Sequence, residues 1–166
     1  MDIPAVKPLL SKDLEVASRT STWEYRSIIG LLNYISGSSR PDIAYATHSA
    51  AIFSANPKAS HNKGVKRIIK YLKGTKENGL IMYPKNDKGL ECFVDTYFVG
   101  GWSTNESEDP ASVYSLIGYI IKYRNCPILW ASKLQSEISL STTEEEYIAL
   151  SQAIREIIPM MEHIEQ

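Results

Sequence analysis

Two acidic segments about fifty residues apart hold the residue types best suited to chemistry in this chain. One is Phe93-Val94-Asp95-Thr96-Tyr97-Phe98, a carboxylate inside an apolar, β-prone run. The other is Ser141-Thr142-Thr143-Glu144-Glu145-Glu146-Tyr147-Ile148-Ala149-Leu150, an acidic cluster at the start of a strongly periodic helix. A carboxylate on a central strand and another on a facing helix can assemble a divalent-metal site for phosphodiester chemistry. Such a site needs more than two carboxylates, and the sequence stops at Gln166 soon after the helix.

Asp95 has Phe93, Val94, Phe98 and Val99 as neighbours, so it is expected on a strand that is at least half buried. An unpaired carboxylate there is costly. A metal, a basic partner or exposure at the strand end would relieve it. The plainer reading is a strand-end aspartate meeting water or a backbone donor. Among the glutamates, Ser141 with Glu144 and Thr142 with Glu145 each match a capping box, and acids in a first turn suit the helix dipole. Glu146 differs. The apolar positions Leu150, Ala153, Ile154, Ile157, Met161 and Ile164 form a seam, and four residues back from Leu150 is Glu146. The period therefore predicts Glu146 on the packed face and Glu145 on the wet side with Gln152 and Glu156. A glutamate in a buried seam is a candidate site residue.

A third feature is basic. Lys63, Lys66, Arg67, Lys70 and Lys73 recur at three- and four-residue steps, flanked by Lys58 and Lys76. One reading is a solvated helix face. The other is a phosphate-backbone site with salt-sensitive, sequence-independent binding.

Elements must position these groups. Tyr25, Ile28, Ile29, Leu32 and Ile35 predict a helix, with Ser21 and Glu24 as its capping box and Gly37-Ser38-Ser39 as its end. Pro41 opens a second helix striped by Ile43, Ala46, Ala50 and Phe53 and stopped by Asn56-Pro57. Ser60 is expected to cap a third, striped by Val65, Ile68, Ile69 and Leu72 and ended by Gly74. The second half reads as strands at Leu80–Tyr83, Leu90–Val99, Val113–Tyr123 and Ile128–Ser132. A polar loop from Gly100 to Ala111 and a hairpin turn at Arg124-Asn125-Cys126-Pro127 join them. The last helix runs from about Thr142 to Gln166, and Pro159 should kink or end its first part.

The 166 residues suit one domain or two small ones, and the net charge of −1 gives no global attraction to nucleic acid or membrane. Cys92 and Cys126 lack metal or redox spacing and read as reduced thiols, which points to an intracellular setting, cytoplasmic or nuclear. His48, His61 and His163 form no ligand pattern. Residues 1–8 do not read as a signal peptide, and no apolar run approaches the roughly 18 residues of a membrane span.

In order along the chain stand Tyr25-Arg26-Ser27-Ile28-Ile29-Gly30 and Arg40-Pro41-Asp42-Ile43-Ala44-Tyr45-Ala46. Then come Lys66-Arg67-Ile68-Ile69-Lys70-Tyr71-Leu72-Lys73-Gly74-Thr75, Phe93-Val94-Asp95 and Gly118-Tyr119. Last come Trp130-Ala131-Ser132-Lys133-Leu134-Gln135 and the segment Leu140 to Leu150. This ordered series resembles the reverse transcriptase–ribonuclease H junction of copia-type LTR retrotransposon Pol polyproteins.

The resemblance implies an α+β chain in three parts. Residues 1–20 are a polar tail or linker, and residues 21–84 a helical connection segment of the reverse transcriptase. Residues 85–166 are a truncated ribonuclease H-like domain, a three-stranded antiparallel sheet with a C-terminal helix. That fold hydrolyses RNA in RNA–DNA hybrids with two Mg²⁺ ions held by four carboxylates. Asp95 matches the first of these and Glu146 the second, and no acid in residues 1–166 matches the other two. The family reads Val-Asp-Ala-Asp where this chain has Val94-Asp95-Thr96-Tyr97. The expectation is a retrotransposon fragment that is inactive alone. The alternatives are a non-catalytic module that binds nucleic acid or self-associates through an exposed sheet edge, and a relic without selected function. No membrane partner is expected.

Overall fold

The structure is a computed structural model, and it describes residues 4–5, 23–97 and 114–164. Ser21, most of the polar tail, the loop from Gly100 to Ala111 and the expected strand ends at Phe98, Val99 and Val113 lie outside the described residues. The chain divides into two compact units, Met1–Leu80 and Ile81–Gln166. The described residues form four α-helices and one three-stranded antiparallel sheet, an α+β composition. No helix among them is long and apolar enough to cross a membrane.

The first unit contains α1 (Tyr25–Ser38), a 3₁₀ turn (Pro41–Ile43), α2 (Ala44–Ala51) and α3 (Ala59–Gly74). Their apolar stripes meet in one core of Tyr25, Ile29, Leu32, Ile43, Ala46, Ala50, Val65 and Ile68. The Tyr25 hydroxyl is buried there and donates to the Ala50 carbonyl at 2.8 Å, so its polar tip is satisfied. Two expectations are corrected. Pro41 opens a 3₁₀ turn before α2, and α2 ends at Ala51, before Asn56-Pro57. The residue preceding α3 is Lys58, not Ser60, and its N–H donates to His61 Nδ1 at 2.9 Å. The imidazole thus reaches back to the chain entering the helix, and it stacks on Phe53 with ring centres 4.0 Å apart.

The second unit contains β1 (Leu90–Tyr97), β2 (Leu116–Tyr123), β3 (Cys126–Leu134) and α4 (Thr142–Ile164). The strand order is β1-β2-β3, all antiparallel. Arg124 and Asn125, with φ of 50° and 68°, form the tight turn between β2 and β3. Positive φ at both central residues matches the right-handed twist of the strands. A bulge near Lys122 lets Pro127 sit in β3. Residues 80–83 are not a strand. Ile81, Met82 and Tyr83 are exposed, and an apolar run without a neighbouring edge has no ladder to join. Pro159 lies inside α4 and does not end it. Pro159 and Arg155, whose carbonyl would receive the missing N–H, are both exposed, so water can replace that bond.

Alternation sorts the sheet into two faces. Leu90, Cys92 and Val94 on β1, Ile117, Tyr119 and Ile121 on β2, and Leu129 and Ala131 on β3 pack with α4. Phe93, Asp95 and Tyr97 point to the other face and are exposed. Burial on the α4 side pushes the Cys92 thiol up in pKa, consistent with an unreactive thiol.

Candidate functional site

The basic residues predicted from the sequence are brought together by α3. Lys63, Lys66, Arg67, Lys70 and Lys73 are all exposed on this helix. Val65 and Ile68 turn the opposite way into the core, which holds the helix in a fixed rotation. Lys63, Lys66, Arg67 and Lys70 line an open groove of about 520 Å³. Tyr71, Gly74 and Thr75 complete it at the C-terminal end of the helix.

That end is tied down by a network that sequence reasoning missed. Arg40 grips Asp42 with a two-pronged fork: Nε donates to Oδ1 at 2.9 Å and Nη2 to Oδ2 at 2.7 Å. The same guanidinium donates to the Thr75 carbonyl at 3.1 Å and to Thr75 Oγ1 at 2.7 Å. Thr75 Oγ1 donates to the Tyr71 carbonyl, and Tyr71 OH donates to Asp42 Oδ2, each at 2.8 Å. The guanidinium also lies 5.6 Å from the Tyr71 ring centre. The hydrogen bond from Arg40 holds the Asp42 carboxyl below its usual range, and the same bond raises the guanidinium. By accepting a hydrogen bond from the phenol hydroxyl, Asp42 raises the Tyr71 pKa. The four residues fall in two of the quoted segments, Arg40 to Ala46 and Lys66 to Thr75. Their partnership across some thirty positions leaves no periodic trace.

Of the two carboxylates, Asp95 meets its plainer expectation and Glu146 does not. Asp95 lies near the end of β1, exposed on a face of the sheet that carries no covering layer among the described residues. Its Oδ1 accepts the N–H of Thr96 at 2.9 Å. Cross-strand register sets Asp95 beside Gly118 on β2, and Gly118 beside Ser132 on β3. This row lies on the side turned away from α4.

On α4 the helix-face reading is corrected. Glu145 is buried, at 1% exposure, and Glu146 is exposed. The packed stripe is Glu145, Ile148, Ala149, Ala153, Ile157 and Met160. Ala149 and Ala153 are fully buried because their small side chains let the helix approach the sheet closely, while Leu150, Ile154 and Met161 point outward. Bulk misdirected the seam; the alanine pair four residues apart was the signal that marks the true face.

The remaining acids have local duties. Ser141 Oγ accepts the Glu144 N–H at 3.2 Å, and Glu144 Oε2 accepts the Leu140 N–H at 2.8 Å, so the expected Ser141–Glu144 cap is present. Gln135 Nε2 donates to the Glu145 carbonyl at 3.1 Å, fastening the end of β3 to the first turn of α4. Among the described residues the buried Oε1 of Glu145 has no hydrogen-bond partner. Burial, and next the charge of Glu146, raise its pKa.

The described residues do not fit a Mg²⁺ pair. Among them no group of three His, Cys, Asp or Glu could hold a metal ion. Asp95 stands on one side of the sheet while α4, which carries Glu146, packs on the other. A two-ion site needs more carboxylates than these two, and none of the described residues joins them in a metal-ligating group.

Comparison with known proteins places the chain. It is 33% identical over 138 residues to the retrovirus-related Pol polyprotein from transposon RE1 of Arabidopsis thaliana, covering 83% of this chain and 9% of that protein. It is 34% identical over 134 residues to the corresponding polyprotein from transposon TNT 1-94 of Nicotiana tabacum, again 9% of that protein. The secreted RxLR effector protein 161 of Plasmopara viticola is 32% identical over 134 residues, which cover 81% of this chain and 89% of the effector. No family model matches the chain, and no solved structure matches it. The chain therefore spans about a tenth of the length of the Pol polyproteins it matches. Its likeness runs through both units, and on that ground it belongs to the retrovirus-related Pol polyproteins of copia-type retrotransposons.

Proposed function

We propose that this segment binds the sugar-phosphate backbone of nucleic acid through the basic groove of α3. The groove carries the reading: four cations on one exposed face, over a chain whose net charge is only −1. Concentrating one sign locally is what a backbone binder needs, and it makes binding insensitive to sequence. The substrate class fitting a Pol polyprotein is an RNA–DNA hybrid or a related duplex.

The test is fluorescence anisotropy of a labelled RNA–DNA hybrid across a salt series. About four phosphate contacts predict a loss of roughly a hundredfold in affinity between about 50 and 200 mM salt. Neutralising Lys66, Arg67 and Lys70 together should flatten that dependence. Affinity indifferent to salt, or untouched by the triple substitution, would overturn the reading.

A second reading concerns residues 85–166, and family membership favours it. In it this unit is the beginning of a ribonuclease H-like fold. Mg²⁺-dependent hydrolysis of hybrid RNA is then an activity of the longer polyprotein, with Asp95 and Glu146 as two of its four carboxylates. The residues described do not fit the metal pair by themselves, so no hydrolytic step is assigned to them. Incubating the purified chain with labelled hybrid and Mg²⁺ or Mn²⁺ should give no cleavage. Cleavage abolished by Asp95→Asn would show that the site is complete after all.

A further inference from the structure

The groove ends where a helix ends, and this creates an electrostatic problem. The last carbonyls of a helix lack N–H partners and carry the negative end of its dipole. Tyr71, Gly74 and Thr75 line the groove at that end of α3. An anion arriving there would meet unfavourable charge unless something neutralised it.

Arg40 lies where this is done. It is only 9% exposed and is not among the groove-lining residues. Its guanidinium takes the Thr75 carbonyl and the Thr75 hydroxyl oxygen, and that hydroxyl in turn closes the Tyr71 carbonyl. A cation is thus anchored under the C-terminal turn, where a cation is most favourable. Asp42 fixes the fork in place but also brings a negative charge to the same corner. Its side chain is 37% exposed and accepts the Tyr71 hydroxyl.

We infer that Arg40 is a positioning residue for the α3 groove, extending its phosphate-binding track to the C-terminal end of the helix by sealing the terminal carbonyls, and that Asp42 moderates this effect. The inference rests on the groove being a phosphate-backbone site. Arg40 acts through Tyr71 and Thr75 and need not touch the nucleic acid. Asp42 has two opposed effects: it orients the fork and subtracts from the local positive potential. A plain structural clamp would have only the first.

This difference gives a test by sign. The full chain and its variants are titrated with a labelled RNA–DNA hybrid at low salt, with far-UV circular dichroism and thermal melts checking the fold. Arg40→Gln should weaken binding about fivefold, the scale of a cation lost from a helix C-terminus. Asp42→Asn keeps the Oδ1 acceptor for Nε and removes both the charge and the second acceptor, so where the melt shows the helical unit still folded it should tighten binding about two- to threefold. Thr75→Val, which releases the Tyr71 carbonyl, should weaken binding and serves if Arg40→Gln fails to fold. If Asp42→Asn weakens binding together with Arg40→Gln, the network is a clamp only and the inference is wrong. If the unaltered chain shows no salt-sensitive binding, the groove reading falls first and this inference with it.

Discussion

Replacing Glu145 by glutamine should stabilise the unit formed by the sheet and α4 at neutral pH, and the gain should disappear in acid. Glu145 is 1% exposed, its Oε1 lacks a donor among the described residues, and burial and then the charge of Glu146 raise its pKa. The folded state therefore holds this proton more tightly than the unfolded chain does. Stability from the neutral form is complete below the unfolded value of about 4.3 and is lost as pH rises through the raised folded value. Glutamine has nearly the same shape and does not titrate. The expected gain at pH 7 is the extra cost of burying the charged rather than the neutral form, on the order of 1–3 kcal/mol. For a unit of this size the melting temperature should rise by roughly 4–8 °C per kcal/mol. The assay is urea and thermal unfolding, followed by far-UV circular dichroism at pH 4 and pH 7. At pH 4 both proteins should unfold nearly together. A Glu145→Gln protein that is less stable than the parent at pH 7 would refute the reasoning, because it would mean the carboxylate is ionised and paired.

Three further predictions probe other elements. Ala149→Leu should destabilise the same unit by about 1–3 kcal/mol, because the fully buried alanine leaves no room between α4 and the sheet; unchanged urea unfolding would contradict the close packing. Asp95→Asn should change stability by no more than about 0.5 kcal/mol, since the carboxylate is exposed and, among the described residues, bonded only to the adjacent Thr96 N–H. A larger loss in a thermal melt would point to a partner for Asp95. Asp42 has a depressed pKa, so the stability it lends the helical unit is present above about 3.9 and is lost as pH falls through the folded value. Asp42→Asn should remove that acid sensitivity, worth about 1 kcal/mol after allowance for its exposure. An unfolding profile at pH 2–5 identical to the parent's would count against it.

What was legible in the sequence was local. The helices around Ile29, Ala46 and Ile68 follow from apolar period, and a hairpin turn from Arg124 to Pro127 from turn chemistry, although the strand takes in Cys126 and Pro127 and leaves Arg124–Asn125 as the turn. The basic face of α3 was equally readable, since side chains three and four apart on a helix must share a side. The ordered segments from Tyr25 to Leu150 by themselves carry the family resemblance.

Tertiary structure decided the rest, because those questions concern partners distant in the chain. Periodicity offered α4 two apolar stripes, and only packing chose the one with Ala149 and Ala153, burying Glu145 and exposing Glu146. Leu80–Tyr83 had strand composition but no edge to pair with. Asp95 sat in an apolar run, yet alternation turned it to an uncovered face. Arg40 and Thr75 are 35 residues apart, and nothing local predicts that one guanidinium would close the end of α3. Local patterns say which residues share a face. Which face finds a neighbour depends on side-chain volume and on hydrogen bonds that only the folded chain brings together.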